Sequence, residues 1–150
     1  MRLTLNTDYS LRVLMQVAIA HETLITINDI AESFDISKSH VMKVVNNLSQ
    51  KGYLDTVRGR KGGIRLGRPP RDINIGEVVR ETEDNLDVAG CLQRCGYCRI
   101  ERVCVARGLL HDATHAFLDA LDEYTLADLI KPKRALSSLL LLDQHAARAQ

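Results

Sequence analysis

The sequence predicts a mainly α-helical fold with a small β-wing: a winged helix-turn-helix followed by a long dimerisation helix, paired as a homodimer. Three observations carry this. Apolar residues recur at offsets of three, four and seven through most of the chain, only three prolines interrupt it, and two short strand-like runs flank a Gly-rich basic turn. With 2 Phe, 4 Tyr and no Trp in 150 residues, the core has to be built from aliphatic side chains.

In residues 7–21, Leu11, Leu14, Met15 and Ala18 line one helix face, with Thr7 as the expected cap. The next segment, Ile27–Phe34, is helical in pattern and ends near Asp35. Ser37 is placed to cap a third helix, in which Val41, Val44, Val45 and Leu48 repeat the same offsets up to Gly52. Two helices across a short polar turn form a helix-turn-helix, whose second helix enters the major groove by its first turns. Its outward residues Lys38, Ser39, His40, Lys43, Asn46 and Asn47 can donate to phosphates or base edges, although alone they also read as a solvated face. Leu54–Val57 and residues 64–66 look like two strands around Arg58-Gly59-Arg60-Lys61-Gly62-Gly63, with the cations Arg58, Arg60 and Lys61 at the tip. A basic wing directly after a helix-turn-helix makes DNA the expected partner. Residues 67–73 close the wing, and Ile75–Thr82 forms a fourth helix through Ile75, Val78 and Val79.

The net charge of +1 conceals an asymmetry. Residues 1–71 hold 11 Lys/Arg against 6 Asp/Glu, whereas residues 72–150 hold 9 against 13, so only the front half attracts a polyanion. The longest apolar run, 135–142, contains two serines and is too short to cross a bilayer, and the N-terminus lacks the apolar stretch of a signal peptide. A cytoplasmic chain with no membrane partner is expected. No nucleotide-binding glycine motif or Ser/His/Asp set is evident, so an enzyme is not expected.

All four cysteines, Cys91, Cys95, Cys98 and Cys104, fall within one polar segment. Thiolates this dense select zinc or an iron–sulfur cluster rather than serving as small buried hydrophobes. The run Cys91-x3-Cys95-x2-Cys98 also matches the cluster motif of radical S-adenosylmethionine enzymes, but the chain lacks the length and the strands of their barrel. A four-cysteine structural zinc, and a cluster held by three cysteines plus another ligand, both remain open on the spacing alone.

Four features together resemble a known family: the opening Met1-Arg2-Leu3-Thr4 with Thr7-Asp8-Tyr9-Ser10-Leu11-Arg12, the wing, the cysteine loop, and Leu121-Asp122-Glu123-Tyr124-Thr125-Leu126-Ala127-Asp128-Leu129. They resemble the NsrR-like nitric-oxide-sensing repressors, within the winged-helix family that also contains the IscR-type regulators, over about residues 1–130. The resemblance implies a homodimer on operator DNA, with one iron–sulfur cluster per subunit and nitric oxide as the signal. It implies Cys91, Cys98 and Cys104 as cluster ligands, with Cys95 an additional candidate, and Asp8 of the partner subunit as the remaining ligand. Arg12, one turn on, would then stabilise the anionic cluster or pair with Asp8. Read on its own, Asp8 is a first-turn acid favoured by the helix dipole. Where IscR-type regulators carry a histidine three positions after the last cysteine, this chain has Arg107, which argues against that subtype. A 4Fe–4S cluster is favoured over 2Fe–2S. The alternatives are an iron–sulfur regulator answering to iron, redox or cluster status, and a zinc-stabilised protein-interaction module.

After Cys104 a long helix is expected to about residue 124. Leu109, Ala113, Ala116, Phe117, Ala120, Leu121 and Tyr124 form a stripe that needs a partner, for which an antiparallel twin helix is the simplest choice. His111 and His115 lie one turn apart, a spacing that can bind metal, but they read first as solvent or dimer polar contacts. Residues 126–130 form a short helical turn before Pro132, and the tail from 131 carries no clear pattern. The expected organisation is thus a DNA-binding domain at 1–82, a cysteine-rich loop at 83–105, a dimerisation region at 106–130 and a C-terminal tail at 131–150.

Overall fold

The first helix is the hub on which most of the others pack. In the computed structural model, which describes residues 2–20, 23–59, 61–94 and 98–140, α1 (Leu5–Ala20) buries Val13, Leu14, Val17, Ala18 and Ile19. It begins two residues before the expected cap. Thr4 Oγ1 accepts from the Thr7 backbone N–H at 3.3 Å, the bond an N-cap makes, while Thr7 itself is fully buried and accepts at 3.0 Å from the Thr82 hydroxyl. Thr7 therefore pins the helix to the rest of the fold instead of starting it. His21, the expected last residue of this helix, lies outside the described residues.

The helix-turn-helix forms as its sequence dictates. Helix α2 (Ile27–Phe34) opens with a capping box in which Thr26 and Asp29 satisfy each other's backbone N–H groups. It ends at Asp35, whose φ of 52° places it in the left-handed region that Asp tolerates better than most residues. Ser37 caps α3 (Lys38–Gln50) by accepting from the His40 N–H, and Val41, Val44, Val45 and Leu48 are buried on its inner side. Gly52 adopts a positive φ just beyond this helix.

Strands β1 (Leu54–Val57) and β2 (Gly63–Leu66) pair antiparallel with Leu54 opposite Leu66 and Val57 opposite Gly63, so the second strand starts one residue earlier than expected. An isolated bridge between Ile25 and Ile64 fastens this hairpin to the segment before α2. Gly63 is required there, because a Cβ would lie 2.8 Å from the Leu24 Cβ. After a 3-10 turn at Pro70–Asp72, helix α4 (Ile75–Thr82) is capped by Asn74, which accepts from the Glu77 N–H.

The remaining helices are α5 (Gly90–Gln93), α6 (Val105–Asp122), α7 (Leu126–Leu129) and α8 (Lys133–Leu139). Leu126 is fully buried in the same core as Leu14, Leu48, Tyr53 and Ile73, so α7 closes the winged helix. Backbone bonds from Ile75 N–H to Tyr124 O and from Leu126 N–H to Ile73 O seal this junction. Arg80 forks onto the Asp122 carboxylate at 2.5 and 2.6 Å, tying α4 to the end of α6 and holding that carboxyl below its usual range.

Two sequence expectations need correction here. The inward face of α6 is built from Leu110, Thr114, Phe117, Leu118 and Leu121, while Leu109, Ala113, Ala116, Ala120 and Tyr124 are exposed. The expected stripe mixes two faces, because Phe117 and Leu121 belong to the side packed on the chain itself. The described part of the tail, 131–140, is also not patternless. Helix α8 follows Pro132 and packs on α1, and just past its end the Leu140 carbonyl accepts from Ser33 Oγ on α2, which in turn accepts from the buried Gln16 amide on α1.

Candidate nucleic-acid interface and cysteine loop

Lys38, Ser39, His40 and Lys43 all lie exposed along the first two turns of α3, as a groove-reading helix requires, with Asn46 continuing their face. Asn47 is turned partly inward, and its Oδ1 is buried. At the wing, Arg58 and Lys61 are exposed beside Gly59, whose φ of 118° only glycine accepts readily. Arg60 lies outside the described residues. Between α3 and the wing is a groove of about 450 Å³ lined by Asn28, Asn46, Thr56 and Arg58 among others. Nothing in the local sequence pattern marks Asn28 and Thr56 as part of this face, because only the fold brings the start of α2 beside β1.

Asp8 and Arg12 pair on the exposed part of α1, with Arg12 Nη2 at 2.8 Å and Nε at 3.1 Å from the two carboxylate oxygens. The Arg12 guanidinium also lies 6.0 Å from the centre of the Tyr9 ring and 5.9 Å from that of Phe34. Tyr9 in turn stands 6.1 Å from the His40 ring. Asp8 is therefore linked through two neighbouring side chains to the first turn of the recognition helix, a connection that is not visible in sequence order.

Cys91, Cys98 and Cys104 are free thiols, all half-buried, and Cys95 lies outside the described residues. They stand on short, weakly anchored pieces. Neither α5 nor the 3-10 turn at Glu101–Val103 has a side-chain cap, and Cys104 sits at the N-cap of α6 without making a side-chain cap bond there. Arg107 organises the segment. Its Nε donates to the Cys91 carbonyl at 3.0 Å, and its Nη1 lies 3.5 Å from Glu101. A cavity of about 410 Å³ lined by Asp87, Glu101, Cys104, Arg107 and His111 opens beside it. In sequence Arg107 stands out only as a missing histidine; its structural role depends on a residue sixteen positions away.

The donor chemistry suits an iron–sulfur cluster, since three free, partly accessible thiols lie in one segment, and the guanidinium that holds the Cys91 carbonyl and shares a cavity with Cys104 can balance thiolate charge. Among the described residues, however, no three Cys, His, Asp or Glu side chains approach closely enough to hold a metal ion. The described part of one chain therefore supplies thiols without enclosing a site.

The sequence profile of the Rrf2 family, described as iron-dependent transcriptional regulators, matches residues 3–132. The chain belongs to the Rrf2 family. It is 49% identical to the HTH-type transcriptional regulator NsrR of Bacillus subtilis over 96% of this chain and all of that one. It is likewise 49% identical to NsrR of Geobacillus kaustophilus, over 93% of this chain and 97% of that one. Among solved structures it resembles CymR, the global cysteine regulator of B. subtilis, with a TM-score of 0.70 at 24% identity, covering 86% of this chain and 95% of that one. IscR of T. potens aligns with a TM-score of 0.69 at 24% identity over 88% of each chain. These structural likenesses establish the winged-helix fold. Family membership makes this Rrf2 protein a DNA-binding transcription regulator and not an enzyme, and it displaces the interaction-module alternative. No helix among the described residues is long and apolar enough to cross a membrane.

Proposed function

We propose that this Rrf2 protein is a homodimeric transcriptional repressor whose hold on operator DNA depends on an iron–sulfur cluster, and that nitric oxide is its signal. The observation that carries the reading is a set of three free thiols, in the segment that Arg107 fastens at the Cys91 carbonyl, in a chain 49% identical to NsrR proteins along nearly its whole length. Cys91, Cys98 and Cys104 would hold the cluster, with Asp8 of the partner subunit as the remaining ligand and Cys95 as a spare thiolate. Bound there, the cluster supplies iron that reacts with nitric oxide; 4Fe–4S is the expected form.

The residues of the chain do the rest. A carboxylate is a harder, weaker donor to cluster iron than a thiolate, so Asp8 is the ligand most easily given up. Arg12 is already placed to take it back. While Asp8 is committed across the subunit boundary, the two winged helices are held in one relative pose, and the two α3 helices match the spacing of operator half-sites. With Asp8 held instead by Arg12 of its own chain, that tie would be absent and the half-sites would not be met together. The exposed stripe Leu109, Ala113, Ala116 and Ala120 supports pairing of α6 with a second copy, because an uncovered apolar helix face is costly in water.

The family's description as iron-dependent favours one second reading, in which cluster occupancy and hence iron supply is the signal. Anaerobic isolation separates the two. A brown protein containing iron and acid-labile sulfide, whose visible absorbance collapses on adding nitric oxide but not on adding an iron chelator, supports the nitric-oxide reading. Bleaching by the chelator alone supports the iron reading. A colourless protein without sulfide contradicts both.

A further inference from the structure

On α6, the run His111-Asp112-Ala113-Thr114-His115 brings two imidazoles together on the outside of the molecule. Their ring centres are 4.3 Å apart with planes tilted by 46°, and both residues are exposed. Neither belongs to the core, and both lie on the side of α6 that faces the cysteine loop, where His111 also lines the cavity beside Cys104. We propose that His111 and His115 form a two-histidine surface site for a borderline divalent transition cation of the Zn²⁺, Ni²⁺ or Cu²⁺ class, one that uses imidazole donors and none of the cysteine thiols.

Four features of this helix support the site. Positions i and i+4 stack on one helix face, the spacing by which helical histidine pairs share a metal. Imidazole nitrogen is the donor that this class of cation prefers. The Asp112 carboxylate lies 3.3 Å from His111 Nδ1. An Nδ1–H donated there fixes the tautomer and leaves Nε2 with its lone pair free, the carboxylate–histidine arrangement that orients metal ligands and raises their basicity. The surroundings are also anionic: besides Asp122, which Arg80 engages, α6 carries Asp112 and Asp119 against a single cation, Arg107, which Glu101 already engages.

At about 100° per residue, the pair lies on roughly the opposite side of α6 from Leu109, Ala113, Ala116 and Ala120. A second copy that covers that stripe therefore does not cover the pair by doing so. Two protein ligands leave the other coordination positions to water, so the site is an exchangeable one. Zinc found at one equivalent per chain would then say nothing about what the cysteines hold.

The test titrates Ni²⁺ into the anaerobically isolated full-length protein, read by calorimetry and by the ¹⁵N shifts of the histidine rings. The same titration is run on His111→Gln, His115→Gln, the double variant and Asp112→Asn. All three positions are exposed, so the variants should melt as the parent does. The parent is expected to take up one Ni²⁺ per chain more than the double variant, with the ring signals of His111 and His115 shifting together. Each single histidine variant should weaken that event at least about tenfold, and Asp112→Asn by about tenfold. Equal uptake by the parent and the double variant, or single variants that retain full affinity, would overturn the proposal.

Discussion

Each α-helix of the winged helix begins on a side-chain cap, Thr4 for α1, Thr26 for α2, Ser37 for α3 and Asn74 for α4, and its apolar face is shut into one core. In the cysteine segment neither α5, nor the following 3-10 turn, nor the start of α6 has a side-chain cap, and Val103 and Val105 stand more than four-fifths exposed. Both are stretches of one chain, yet one satisfies itself and the other does not. A helix start without a cap leaves backbone donors to water, and apolar side chains left in water mark a surface awaiting cover. The DNA-reading half is thus complete as a single chain, whereas the cysteine half leaves uncapped helix starts and exposed apolar side chains, the surface that the proposed cluster and second subunit would cover.

The largest effect expected from this contrast comes from Cys104→Ser. It should abolish iron retention and lower affinity for a duplex selected from a random library by about a thousandfold or more, toward non-specific binding. The thermal unfolding of the winged helix should stay unchanged; a matching fall in melting temperature would mean that the two regions are not separable. Leu126→Ala tests the other side of the comparison. As Leu126 is fully buried in the core, the substitution should cost about 2–5 kcal/mol in chemical denaturation, although it lies beyond the cysteines in sequence.

Smaller effects sharpen the boundary. Replacing Arg58 and Lys61 together by Ala should weaken binding to all sequences alike and, in a dimer, reduce the slope of log affinity against log salt by about 4, one for each phosphate that the two wings no longer neutralise. An unchanged slope would take the wing off the DNA. The mildest change is Arg107→Ala. It should raise amide hydrogen exchange across residues 91–104 while leaving the amides of α1 and α3 as protected as before, because Arg107 bonds the Cys91 carbonyl and Glu101 rather than the winged helix.

The same division governs what can be read from the amino-acid order. Ser37 as a cap, the strands around the basic turn and the fourth helix at Ile75–Thr82 are all visible, because capping, turn chemistry and periodicity are local. Thr7 misleads because a buried threonine and a capping threonine look alike; its partner Thr82 is 75 residues away. The inward face of α6 escapes notice because a helix with two apolar faces has no single stripe to find. At the candidate site the exposed cations of α3 are legible. The Arg12–Tyr9–His40 arrangement and the grip of Arg107 on the Cys91 carbonyl are not, since each depends on how separate segments pack.

The most direct measurement is the affinity of the anaerobic, cluster-loaded dimer for its selected duplex, by fluorescence anisotropy at fixed salt, before and after adding nitric oxide. The account expects tight binding at first and a fall to non-specific affinity once the visible absorbance has bleached. Equal affinity before and after bleaching would contradict it.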